Sequence, residues 1–476
     1  DAQESRGLGD VYKRQGGCFM RLHIANGRVI DPASGHDGPQ DLYIADGRIV
    51  AAGQSPDGFQ ADRRLDATGL AVLPGLVDLS ARVLRDPAAS HGAAAMAAAP
   101  AHADPLAPGS RIAPSDPQFA PAELRAALAG GVTTLVLPPQ PDTPLDEPAK
   151  LDALLRQAPA GQPRILPLGA LTVGLRGDTL AEMALLSQAG AIAFSQGNAG
   201  IADTRVLWGA MRYASGQGLT LWLHPQDPWL AQGAVVAAGA YADRLGLQGL
   251  PPQAETLALQ TIFELQRATG ARVHLSRLSS AAGLELLRAA RREGLPVSAD
   301  VSVHSLLLTD VDIGYFDTNF HLTPPLRGQR DREAIQAALR DGLVDALCSD
   351  HTPVDTAGKA APFPLSQPGA TGLELLLSLT LKWARDNRIP LPQALARVTT
   401  GPAAVLCGLS PSQSGRGDLA VGAPADLCLV DLEAEWLVAP PALQSHSRHT
   451  PFAGMMLPGR VRATLVGGSP AWETPA

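Results

Sequence analysis

Two side chains able to hold a metal or move a proton stand at the ends of apolar runs. His224 closes Leu219–His224, and Asp350 follows Val344–Ser349. An imidazole and a carboxylate at the ends of parallel strands are the material of metal-assisted hydrolysis. That chemistry needs three or four protein ligands and one open position for a water brought to a pKa near 7. Other strand ends carry different residues. The run Leu76-Val77-Asp78 is followed by Ser80 and Arg82, and His274-Leu275-Ser276 by Arg277. A guanidinium is a permanently charged donor and cannot ligate a metal. A unit charge about 4 Å from a divalent ion, at an effective dielectric near 20, is unfavourable by roughly 8 kcal/mol. Plainer readings stand beside metal chemistry: His224 as a hydrogen-bonded packing residue, Asp350 as half of a structural ion pair. His274, His304 and His321 could form a displaced metal site only if separate strands and loops converged on it.

The elements that must position these residues are legible as pattern. Between about residues 73 and 405 apolar strands alternate with amphipathic helices: strands at Thr133–Leu137, Arg164–Leu168, Ala191–Phe194, Leu219–His224, Arg272–Leu275, Val297–Val301 and Val344–Ser349, and helices such as Pro121–Ala129, Leu180–Gln188, Gln253–Thr269, Ala281–Glu293 and Arg330–Asp341. With the strand ending at Asp78 this makes eight parallel strands, the count of a (β/α)8 TIM barrel. Period-2 alternation at both ends predicts a small composite β-sandwich. Leu22–Ile30 reads as a hairpin turning at Asn26-Gly27, and Leu42–Val50 as one turning at Asp46-Gly47. Asp426–Asp431, Glu435–Val438 and Arg460–Val466 supply its C-terminal strands. The expected division is a leader over 1–19, sandwich over 20–73, barrel over 74–405 and sandwich again over 406–476. Residues 87–117 are an Ala/Pro-rich flexible insertion. The leader is read as non-native or disordered, because Met20 opens the first strand and Asp10–Gln15 back-translates to a transposon-end adaptor sequence.

Composition closes off several classes. A net charge of −8 gives no electrostatic reason for nucleic-acid binding. No apolar run approaches the roughly 20 residues that span a bilayer. Four scattered cysteines without metal spacing (Cys18, Cys348, Cys407, Cys428) fit reduced thiols in the cytoplasm.

Gly130-Gly131-Val132-Thr133-Thr134, Asn319 to Arg327, Ser349-Asp350-His351-Thr352-Pro353 and Pro451-Phe452-Ala453-Gly454 to Pro458-Gly459-Arg460-Val461 fall in an order and spacing that resembles the dihydroorotases of multi-enzyme pyrimidine complexes, within the amidohydrolase superfamily. More narrowly the chain resembles their non-catalytic homologues. The resemblance implies where metal ligands would stand. The opening His-x-His falls on Ser80 and Arg82, the bridging carboxylate at Ser195-Gln196-Gly197, and the later His on Arg277, while His224 and Asp350 are kept. With those positions, Arg82 and Arg277 are read as ion-pair partners of Asp350 that exclude a metal. The substrate residues it implies are vestigial too: Asn319 and Arg327 are present, the family's Asn falls on Thr323, and Met-Pro-Asn-Thr becomes Leu137-Pro138-Pro139-Gln140. The expectation is a pseudoenzyme with no catalytic residue, no metal and no cofactor, where active relatives use zinc. It would scaffold aspartate carbamoyltransferase in a hetero-oligomer. The alternatives are an active zinc-dependent dihydroorotase or related cyclic-amide hydrolase with unconventional ligands, and a sensor using the old pocket.

Overall fold

The computed structural model describes residues 20–85, 117–158, 161–409 and 416–474. The expected leader lies outside them, as does the expected insertion except for Pro117.

Eight parallel strands form the barrel: β1 (Leu76–Asp78), β2 (Val132–Leu137), β3 (Arg164–Pro167, resuming at Gly169–Ala170), β4 (Phe194–Ser195), β5 (Thr220–Leu223), β6 (Arg272–Leu275), β7 (Val297–Ser302) and β8 (Ala346–Cys348). They pair in chain order. A parallel bridge between Ala81 and His351 closes the ring beyond β1 and β8. Most of these strands are buried on both faces, which is why they read as unbroken apolar runs and not as alternation. Helices Pro121–Ala129, Pro252–Thr269 and Ala281–Glu293 pack outside. The last is capped by the Ser280 hydroxyl, which accepts from the Gly283 amide at 2.9 Å. The fourth strand is shorter and later than expected, Phe194–Ser195 in place of Ala191–Phe194.

Two β-sheets lie beside the barrel. The first orders Arg48–Ala52, Leu42–Ala45, Leu22–Ala25 and Arg63–Asp66. The second orders Ser469–Glu473, Met456–Val466, Leu427–Leu437, Ala71–Pro74, Arg28–Asp31 and His36–Pro39, so both ends of the chain share it. Leu22, Ile24, Ile44, Val72, Leu427 and Leu465 fill the space between the sheets.

Asp46-Gly47 turns the expected hairpin, both residues having positive φ (51° and 73°), as a type I′ turn requires. Asn26-Gly27 does not. Leu22–Ala25 and Arg28–Asp31 pair with different partners in different sheets. Only Asn26 takes a positive φ. Gly27 is there for close approach, since a Cβ on it would lie 2.7 Å from Val72 Cγ2. The expected strands Asp426–Asp431 and Glu435–Val438 are one strand with an irregularity between Asp431 and Glu435, and Ser469–Glu473 is an edge strand the pattern did not announce.

Candidate functional site

The C-terminal ends of the barrel strands gather the polar residues. Asp78, last in β1, is fully buried; its Oδ1 accepts from the Ser349 amide at 3.0 Å and the Ser80 amide at 3.3 Å, and its Oδ2 from the Ser349 hydroxyl. Burial pushes its carboxyl up to about 6. The β1 and β8 ends are thus stitched together, and Ser80 is buried in the seam.

Arg82, Arg277 and Asp350 come together above that seam. Arg277 Nη1 lies 3.1 Å from Asp350 Oδ1 and also donates to the Thr323 carbonyl at 3.1 Å. Arg82 Nη1 lies 3.9 Å from the same carboxylate oxygen and donates to Thr352 Oγ1 at 2.6 Å. The Nη2 atoms of both arginines lie 2.7 Å from one acceptor, Asn198 Oδ1. Burial, then the neighbouring Arg277 charge, lowers Arg82 to about 10. Burial also raises the Asp350 carboxyl against the pull of both arginines. Arg277 and Asp350 each hold a positive φ (57° and 49°), a conformation bulky residues adopt only where the surroundings impose it. For Arg277 one such restraint is its own amide, which donates to Asp300 Oδ1 at 2.8 Å.

His224 is buried beside this group. Its Nδ1 lies 3.2 Å from the Ser276 carbonyl, which only accepts, so Nδ1 carries the proton and Nε2 presents a bare lone pair. Nε2 has no hydrogen-bond partner. Burial, then the Arg277 charge, lowers the ring to about 3, so it is neutral at physiological pH. A cavity of about 100 Å³ runs alongside, walled in part by Gln196, Ile201, Gln226 and Trp229.

The other expected residues point elsewhere. Gln196 accepts from Thr172 Oγ1 at 2.9 Å and donates to the Leu175 carbonyl at 2.7 Å. Asn319 Oδ1 accepts from His449 Nδ1 at 3.0 Å. Arg327 donates to Ser279 Oγ at 2.9 Å, and that hydroxyl donates in turn to Glu255. Thr323 contributes its carbonyl. The three further histidines do not converge: His274 bridges Ser298 and Asp300, His321 meets Ser366, and His304 stacks on Phe452 with neither nitrogen bonded. Among the described residues no three His, Cys, Asp or Glu side chains form a group able to hold a metal ion.

Asn198 was not among the residues read from sequence, and Thr352 entered only as part of a motif, with no role of its own. Each lies two residues beyond a motif position, Gln196 and Asp350, and neither type advertises a role as the acceptor of a guanidinium. A His351–Glu123–His446 chain, buried at His351 and Glu123 and exposed at His446, was also missed. His351 Nε2 lies 2.9 Å from Glu123 Oε2, and His446 Nδ1 meets Oε1. These bonds hold the Glu123 carboxyl far below the usual carboxylate range against the cost of burial.

A family model described as dihydro-orotase-like matches residues 115–282. A dihydroorotase-like protein of Pseudomonas aeruginosa is 40% identical over 450 residues, covering 94% of this chain and 99% of that protein. This chain belongs to the dihydroorotase-like family. That family sits within the amidohydrolase superfamily, and the TIM barrel with an added β-rich domain is its architecture. A dihydroorotase of Anaeromyxobacter dehalogenans is 36% identical over 451 residues, covering 94% of this chain and 96% of that protein. In fold, an L-hydantoinase of Arthrobacter aurescens superposes with a TM-score of 0.76 at 22% identity, covering 96% of this chain and 97% of that one. Among the described residues of this dihydroorotase-like chain, no helix is long and apolar enough to cross a membrane.

Proposed function

We propose that this chain is a dihydroorotase-like protein of de novo pyrimidine (UMP) biosynthesis that has lost its metal site and acts as a structural subunit for aspartate carbamoyltransferase. One observation carries the reading: the Arg277 guanidinium lies 3.1 Å from Asp350, on the carboxylate a metal would need. The donors left at the mouth, one imidazole and one carboxylate, do not fit a zinc ion, which takes three or more protein ligands. Arg82 adds a second positive charge on the same oxygen's flank.

A barrel kept in shape without chemistry fits selection for assembly. The relative of Pseudomonas aeruginosa, named dihydroorotase-like and matched along nearly its whole length, supports the dihydroorotase-like part of the reading. The cytoplasm, where pyrimidine assembly proceeds, is the compartment the reading implies. Co-expression with the cognate transferase is expected to give one symmetric hetero-oligomer, burying more than about 1,000 Å² per contact. The transferase gains stability from a partner that binds only its native state. Size-exclusion chromatography with light scattering tests this. Two separate peaks at micromolar concentration, with transferase activity unchanged by this chain, would remove the scaffold role.

A second reading, an active zinc-dependent dihydroorotase or related cyclic-amide hydrolase, is favoured by one specific feature. His224 keeps a ligand's posture, Nδ1–H on a backbone carbonyl and Nε2 bare. Measurable interconversion of carbamoyl aspartate and dihydroorotate by the purified chain would establish it.

A further inference from the structure

Two guanidinium groups at the mouth, Arg277 buried and Arg82 partly exposed, pair with one carboxylate. Among the described residues Asp350 is the sole carboxylate paired with either, and only through Oδ1. The other carboxylates nearby are committed: Asp300 to His274 and the Arg277 amide, Asp78 to Ser349 and the Ser80 amide. What the two arginines share otherwise is a neutral acceptor, Asn198 Oδ1, at 2.7 Å from each. Arg277 Nε is buried and donates to nothing. Arg82 keeps 11% of its side chain exposed, so the pair is reachable from solvent.

We propose that Arg82, Arg277, Asn198 and Thr352 form a cradle for a small monocarboxylate, a site where fixed guanidinium charge stands in the place of a metal's. A guanidinium fork matches a carboxylate's two oxygens. Two guanidiniums against one directly paired carboxylate favour a monoanion, whereas phosphate is largely dianionic above neutral pH. Burial, then the Arg277 charge, depresses Arg82, and such an anion would relieve the second of these. The inference rests on the metal-free reading of the mouth and is independent of the scaffold role.

The test is thermal shift and calorimetry at about pH 8, where phosphate is mostly dianionic, on the purified full chain with sodium acetate and glycolate, against chloride and phosphate at matched ionic strength, zinc content being measured on the same sample. Acetate and glycolate are expected to raise the melting temperature saturably, beyond chloride or phosphate. Asn198→Asp builds the missing counter-charge into the site with almost unchanged shape. It is expected to melt higher than wild type without ligand and to bind carboxylate at least about tenfold more weakly. Arg82→Met should lose the binding, while Arg205→Met, an exposed arginine paired with Asp203, should keep it. Asn198→Asp that binds like wild type, or phosphate that stabilises as much as acetate, would overturn the proposal. Stoichiometric zinc would instead overturn the metal-free reading beneath it.

Discussion

Asp350 is the residue on which the account turns. In an active hydrolase of this fold such an aspartate serves chemistry, so its removal stops turnover. Here it is the counter-ion of Arg277, both side chains being almost wholly buried. Asp350→Ala leaves that cation unpaired and is expected to cost roughly 3–5 kcal/mol of stability, read by denaturant unfolding. An unfolding curve matching wild type would contradict the pairing. His304 supports a second prediction. Burial lowers it to about 3, and neither ring nitrogen has a partner. Its folded pKa is below the unfolded value of about 6.5, so the unfolded state binds the extra proton. Stability is therefore full above about pH 6.5 and drains as pH falls towards 3. His304→Phe, stacking on Phe452 in the same slot, should flatten this loss between pH 7 and pH 4 in a series of melts. An unchanged slope would place the acid sensitivity elsewhere. Asp350 and the two arginines were read from the sequence as ion-pair partners, but the neutral acceptors around those arginines were not. Asn198 and Thr352 accept from guanidiniums across the mouth, and such pairings depend on where loops end, which no local pattern records.

Strand ends, and the glycines that let them pack, set where those side chains stand. β1 is led in by Gly75, and a Cβ there would lie 2.1 Å from Thr133 Oγ1 on β2. Gly75→Ala must push β1 and β2 apart, and overpacking of this kind costs about 1–3 kcal/mol. Because β1 carries Asp78 and leads to Arg82, the same change should weaken the Arg82–Asp350 contact and lower the melting temperature. A neutral Gly75→Ala would show that the β1 entry tolerates a shift. The barrel strands and several helices were legible because burial on both faces, or on one helical stripe, is written into every turn of the sequence. The Asn26-Gly27 hairpin was misread for a physical reason. The dipeptide signals a positive φ and a small residue, and here Asn26 uses the first for a crossing between sheets while Gly27 uses the second to fit against Val72.

At the scale of the whole molecule, the fold is kept and the mouth is rebuilt. Ends that are nearly 400 residues apart in sequence share one β-sheet, where Ala71–Pro74 lies between Arg28–Asp31 and Leu427–Leu437. Eight strands close at Ala81 and His351. The barrel's mouth holds arginines joined to a carboxylate, an amide and a hydroxyl. On the proposed reading such a molecule presents shape and charge in place of a reactive water, as a scaffold would. The most direct measurement is elemental analysis of the chain expressed with added zinc and dialysed. The account predicts zinc far below one atom per chain, because a pair of fixed positive charges opposes the ion and too few ligands remain to bind it. One zinc per chain that survives dialysis would contradict it.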